Sequence, residues 1–183
     1  MPLQNSDNPY WPSASSSNGQ YLAVRGDDYI RVSSNYGATW TVTTQSMGGS
    51  YSQLVMSANG AVIVAGTGNN SVAVSSNYGT TWSNTPSGIY GYAMCVSSNG
   101  AIMYQGSGGL SDIWRSSNTG VSWTQVSPLA ASGTTNRYVW MSCSLDGTVV
   151  AVQTQSLNLA VSSNSGSTWT LTSLGGTNAG CVT

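Results

Sequence analysis

Apolar residues come in short runs along the whole chain, none longer than about five residues, and polar corners separate them. The runs fall into two series. One follows an Asn-Gly or Asp-Gly pair and covers 21–24, 62–65, 102–104 and 149–152. The other lies at 29–32, 72–74, 113–114 and 159–161, just before a polar phrase. Runs this short, bounded by turn residues, predict strands. The pairs Asn18-Gly19, Asn59-Gly60, Asn99-Gly100 and Asp146-Gly147 predict two-residue hairpin turns with positive φ at both turn positions.

The polar phrase is a nine-residue repeat, Ser-Ser-Asn-x-Gly-x-(Thr/Ser)-Trp-(Thr/Ser). Its Asn, Gly and Trp stand at Asn35, Gly37 and Trp40; Asn77, Gly79 and Trp82; Asn118, Gly120 and Trp123; and Asn164, Gly166 and Trp169. From Asn to Asn the steps are 42, 41 and 46 residues. Each Asn-Gly or Asp-Gly pair stands 17 to 19 residues before its phrase. One unit therefore reads as four strands, the first pair joined by the Asn-Gly turn and the second pair by the phrase. Four strands in about 40–45 residues is the size of one β-propeller blade. The predicted fold is all-β: a propeller of four-stranded antiparallel blades, four in this chain, in a single domain over 1–183. The blades are expected at about 11–49, 50–91, 92–137 and 138–178, with 179–183 starting a closing strand.

Each position of the phrase has a turn role. Asn tolerates a left-handed backbone and its side chain bonds nearby amides. Gly supplies the second unusual conformation, Ser hydroxyls cap further backbone groups, and Trp buries its ring against the blade. The phrase resembles the Asp-box, or BNR, repeat (Ser-x-Asp-x-Gly-x-Thr-Trp) of sialidases, sortilin-like receptors, xyloglucan-degrading hydrolases and a photosystem assembly factor. The resemblance spans residues 11 to 178 and implies a propeller in which the box is a structural hairpin at the outer edge. One departure is uniform: the family's Asp is Asn at 35, 77, 118 and 164, which keeps the acceptor oxygen and drops the charge.

Composition changes the picture of the surface. Only 4 Arg and 5 Asp are charged, 5% of 183 residues, against about 25% in ordinary soluble domains, and Lys, Glu, His and Phe are missing. With 39% apolar residues, 7 Trp and 10 Tyr, the chain still has material for blade cores. A net charge of −1 gives no electrostatic footprint for nucleic acid, and the short apolar runs exclude a membrane-spanning helix. No signal-peptide pattern is readable at the start. The expected setting is nonetheless outside the cell, or on a virion or cell surface. Cys95, Cys143 and Cys181 are too few and too widely spaced for a disulfide framework and read as small core residues. Segment 180–183 aligns with the start of a first strand. The ring is thus expected to close with four blades, to be half of a larger ring completed by self-association, or to be a fragment of a longer protein.

Catalysis is poorly provided for. With no His, the usual triads and zinc sites are ruled out, and no cofactor or metal is expected. The Asp-box resemblance would imply a sialidase Tyr/Glu pair, which a chain without Glu cannot form. Glycosidases generally use two carboxyl groups, for which Asp27, Asp28 and Asp112 are the weak candidates, on loops before third strands. Recognition fits better. Flat aromatic rings beside Asn, Gln and Ser suit neutral sugars. Trp114 and Arg115 form the most irregular spot of the repeat, and Arg137 and Tyr138 lie in the longest linker with Trp140 nearby. The expected function is a non-enzymatic recognition or structural module with a neutral glycan as ligand. A peptide-binding assembly scaffold is the alternative, and a divergent glycoside hydrolase using Asp residues comes third.

Overall fold

The structure is a computed structural model, and it describes residues 12–26, 29–46, 53–67, 71–85, 91–106, 112–126, 138–154 and 158–173. These hold sixteen strands in four sheets. Blade 1 is β1 (Ser13–Ser15), β2 (Leu22–Gly26), β3 (Tyr29–Ser33) and β4 (Thr41–Ser46). Blade 2 is β5 (Leu54–Met56), β6 (Ile63–Thr67), β7 (Ser71–Ser75) and β8 (Ser83–Asn84). Blade 3 is β9 (Ala93–Val96), β10 (Met103–Gly106), β11 (Ile113–Ser116) and β12 (Thr124–Gln125). Blade 4 is β13 (Tyr138–Cys143), β14 (Val150–Thr154), β15 (Asn158–Ser162) and β16 (Thr170–Ser173). Every sheet is antiparallel in chain order, and no helix occurs among the described residues. The expected fold is therefore the observed one. The proposed closing strand at 179–183 lies outside the described residues.

Both repeated corners lie at one end of each blade and share a chemistry. In the phrase, the Ser33 hydroxyl donates to Asn35 Oδ1 at 3.0 Å and accepts from Gly37 N–H at 2.9 Å. Asn35 Oδ1 also accepts from Thr39 N–H at 2.9 Å, and the Trp40 indole N–H caps Gly37 C=O at 3.0 Å. In the first turn, the Ser16 hydroxyl donates to Asn18 Oδ1 at 2.8 Å and accepts from Tyr21 N–H at 2.9 Å. A Ser two residues before Asn thus builds both corners. Tyr36 N–H then bonds Gln20 C=O at 3.0 Å, and Tyr78 N–H, Thr119 N–H and Ser165 N–H make the same link in the other blades, tying each pair of corners together.

Two expectations about these turns are corrected. The Asn-Gly corners are not two-residue hairpins with two positive φ values. Only the Gly is left-handed, the hairpin closes through Ser16 N–H to Tyr21 C=O, and four residues lie between. The Ser and Asn side chains supply the bonds that make this longer loop favourable. In the phrase the left-handed residue is not Asn but its successor: Tyr36, Tyr78, Thr119 and Ser165 have φ near 55–59°, each followed by a left-handed Gly.

The blades meet in three apolar seams. Alternation puts one row of each sheet toward the preceding blade and the other toward the following one. Ala23, Ile30 and Val32 of blade 1 meet Leu54, Ile63 and Ala65 of blade 2. Val62, Val64, Val72 and Val74 meet Met94 and Met103 of blade 3. Tyr104 and Ile113 meet Val150, Val152 and Met141 of blade 4. In blades 2 to 4 the box Trp enters the seam with the preceding blade: Trp82 the first, Trp123 the second, Trp169 the third. Cys95 and Cys143 are free thiols side by side in the third seam. Burial pushes the Cys95 thiol up, while Cys143, hydrogen-bonded to it, is lowered. Cys181 lies outside the described residues.

Candidate functional site

All the connections opposite the corners, 27–28, 47–52, 68–70, 86–90, 107–111, 127–137 and 155–157, lie outside the described residues. Asp27, Asp28 and Arg137 fall there. Asp112 stands at the edge of this loop end, just before β11, where its carboxylate accepts from Gln125 Nε2 at 2.6 Å. The box residues Asn35, Gly37, Trp40 and their repeats stand at the corner end and serve the turns described above.

Neighbours in sequence, Trp114 and Arg115 point to opposite faces of blade 3. Trp114 packs in the seam with blade 2, and its indole N–H is buried without an acceptor among the described residues. Opposite it in register stands Gln105, fully buried, its amide likewise without a partner. Arg115 hydrogen-bonds Tyr104. The Tyr104 hydroxyl also donates to Gly147 C=O of blade 4 at 2.8 Å. Burial raises the Tyr104 pKa, and the bonds from Arg115 and Ser165 oppose that rise. Arg115 therefore serves the seam between blades 3 and 4.

Trp140 is placed differently. It is 42% exposed and stands on the face of blade 4 that no following blade covers among the described residues. With Met141, Ser142, Ala151, Gln153 and Leu159 it lines a shallow groove. Gln153 lies opposite Trp140 in register, is 2% exposed, and its Oε1 has no hydrogen-bond donor among the described residues. An exposed indole thus borders an unsatisfied amide oxygen, a costly arrangement unless something donates to it. Tyr138 opens the same strand, β13. Sequence reasoning named Trp140 and missed Gln153. The signal was a lone amide interrupting the apolar run of β14, Val-Ala-Val-Gln-Thr. No cluster of His, Cys, Asp or Glu that could hold a metal occurs among the described residues.

No protein-family model matches the sequence, and no curated protein matches it either. Solved structures do. A Niastella koreensis GH74 enzyme superposes with a TM-score of 0.68 at 23% identity, over 87% of this chain and 23% of that one. YCF48 from Cyanidioschyzon merolae superposes with a TM-score of 0.65 at 14% identity, over 95% of this chain and 59% of that one. A nidogen/laminin complex gives 0.60 at 10% identity, over 81% and 57%. This chain spans about a quarter of the GH74 enzyme and under two thirds of the other two. What these enzymes and non-enzymes share with it is the β-propeller fold.

Proposed function

We propose that this chain is a non-enzymatic recognition module with Asp-box-like blades, and that it holds a neutral carbohydrate on Trp140. The reading is carried by the exposed Trp140 indole beside the unsatisfied Gln153 Oε1. A sugar's C–H face covers an indole while its hydroxyls donate to amide oxygens and need no charge. The Ser142 hydroxyl in the same groove supplies a further partner. The described carboxylates are already engaged: Asp112 by Gln125, and Asp146 in its turn by Ser144 and Thr148. Action outside the cell, or on a virion or cell surface, belongs to the same proposal, since neutral glycans are displayed there.

A glycan array with the whole chain tests it. The expected result is binding to a neutral glycan, weakened at least ~10-fold by Trp140→Ala and by Gln153→Ala, each removing one contact. Asp112→Asn should leave binding unchanged. Hydrolysis of a chromogenic glycoside that Asp112→Asn abolishes would overturn the non-enzymatic reading. Capture of peptides without any glycan would favour the scaffold reading, for which a YCF48 structure bound to the D1 peptide, 16% identical over 87% of this chain, is the precedent in this fold.

A further inference from the structure

Two contacts recur in all three internal seams and a third in the first two, and the two end faces carry the halves of a fourth set that meet nothing among the described residues. All three sit at the corner end. The first is a relay of backbone hydrogen bonds between adjacent blades: Ser17 N–H to Ala58 C=O at 2.8 Å, Ala58 N–H to Ser98 C=O at 2.9 Å, and Ser98 N–H to Leu145 C=O at 2.7 Å. The relay ends in an unused donor at Leu145 and an unused acceptor at Ser17 among the described residues.

The second is a knob in a hole. Tyr21 lies over the turn glycine Gly60, Val62 over Gly100, and Ile102 over Gly147, in each case the next blade's glycine. Val149 is the fourth such knob and is 40% exposed, while Gly19 is the fourth hole and has nothing within 4 Å. The third contact joins the end of one blade's third strand to the next blade's box glycine in the first two seams, Val32 against Gly79 and Val74 against Gly120; in the third seam, where Arg115 holds that strand position, Val126, just after β12, meets Gly166 instead. Val161 occupies that position in blade 4, and Gly37 of blade 1 touches only Leu22 and Trp40 of its own blade.

The burial pattern agrees. Ala23, Val64 and Tyr104 are equivalent by register and almost fully buried by the following blade, at 0%, 2% and 1%. Their counterpart Ala151 is half-buried, and Leu145 is 79% exposed. The free face of blade 4 is thus built as the left half of a seam, and the free face of blade 1 as the right half.

We infer that a second copy of this chain occupies both faces: blade 4 of each copy packs on blade 1 of the other, and a twofold axis closes an eight-bladed ring through two such seams. A contact between two different faces closes into a ring or runs on as a filament. The repeat already fixes how one blade follows the next, so the second copy needs no new surface chemistry. The proposal stands without the glycan reading and competes with it for part of this face, because Ala151 lines the groove and is also the counterpart of the buried seam residues Ala23, Val64 and Tyr104. Trp140 lies toward the loop end of this face, away from the three corner contacts. On the facing side β1 offers Ser13 and Ser15, where internal seams receive Leu54 and Met56 or Met94 and Val96.

The test is solution mass by light scattering on the whole chain at tens of micromolar. The expected value is twice the 18.9 kDa of one chain. Leu145→Asp/Val149→Asp changes side chains that are exposed in one copy. It should leave the circular dichroism spectrum unchanged and raise the dissociation constant on the order of 100-fold, because carboxylates would be buried against an apolar seam. Val121→Asp, at an 83% exposed corner of blade 3, should leave the dimer intact. A wild-type mass of one chain overturns the proposal, whether the faces stay open or are covered from within the chain. So does a dimer that survives Leu145→Asp/Val149→Asp with its affinity unchanged, or an assembly heavier than two copies.

Discussion

Trp40 and Trp169 close the same nine-residue phrase at opposite ends of the chain, and the structure treats them differently. Each indole N–H caps the carbonyl of its box glycine, at 3.0 and 3.1 Å. Trp169 also reaches Val126 C=O of the preceding blade at 2.8 Å and packs into the third apolar seam. Trp40 has no preceding blade among the described residues and is 40% exposed. Identical local chemistry therefore gives identical turns but unequal stability. The phrase specifies the corner, and the neighbouring blade specifies what the ring gains from burial.

Removing the two rings should separate these contributions. Trp169→Ala should destabilise the chain by about 3–4 kcal/mol, through a cavity and a lost cross-blade bond. Trp40→Ala should cost about 1 kcal/mol when measured in the monomeric Leu145→Asp/Val149→Asp background, since much of the ring is already in water. Equal losses in urea titrations of the two variants would contradict the comparison.

The turn glycines sharpen it at a second place. Gly60 has φ of +81°, and a Cβ there would lie 2.6 Å from Tyr21 Cβ. Gly19 has φ of +74° in open space. Gly60→Ala carries both a backbone penalty and a clash, about 3 kcal/mol together. In the same monomeric background Gly19→Ala carries the backbone penalty alone, about 1 kcal/mol. Thermal denaturation of the pair reads the difference directly.

A smaller effect separates acceptor from charge within the phrase. Asn77 Oδ1 accepts from Thr81 N–H at 2.9 Å and from the Ser75 hydroxyl at 3.0 Å, while its Nδ2 donates to Thr81 Oγ1 at 2.8 Å. Asn77→Ala strands these groups and should cost about 1–2 kcal/mol. Asn77→Asp keeps the acceptor, and the Thr81 hydroxyl can turn to donate, so a change within about 0.5 kcal/mol is expected. A large loss for the Asp variant would mean that the amide N–H itself holds the turn.

Much of this was legible in the chain because the repeat is local. The Asn, Gly and Trp of each phrase sit within nine residues, so their chemistry reads without knowing the fold, and the strand count and blade order follow. Ring closure and the groove were not legible, because they depend on which face a strand presents across a seam. Trp114 and Trp140 look alike as irregular aromatics, yet one sits in an internal seam and the other on a free face. Gln153 reads as an interruption of a strand until register places it opposite Trp140. The corner turns were misassigned for a different reason. Asn-Gly suggests the tightest hairpin, and the Ser two residues earlier, which lengthens the loop, stands outside that pair.

The Asp-Gly corner of blade 4 gives the finest comparison, since Asn occupies its place in the other three blades. Asp146 accepts from the Ser144 hydroxyl and from Thr148 N–H and Oγ1. Those bonds, Ser144's first, favour the carboxylate and lower its pKa from 3.8 to about 2. A group whose folded pKa is depressed contributes fully above its unfolded value and loses that contribution as pH falls through the folded one. Blade 4 should therefore lose stability between about pH 4 and pH 2 in a way that the Asn corners of blades 1 to 3 do not. Asp146→Asn copies those corners, so its melting temperature should fall less across this window than that of the wild type. The residual decline in the variant then belongs to the remaining aspartates, and parallel curves for the two proteins would show that the bonds from Ser144 and Thr148 do not distinguish the charged acceptor from the neutral one.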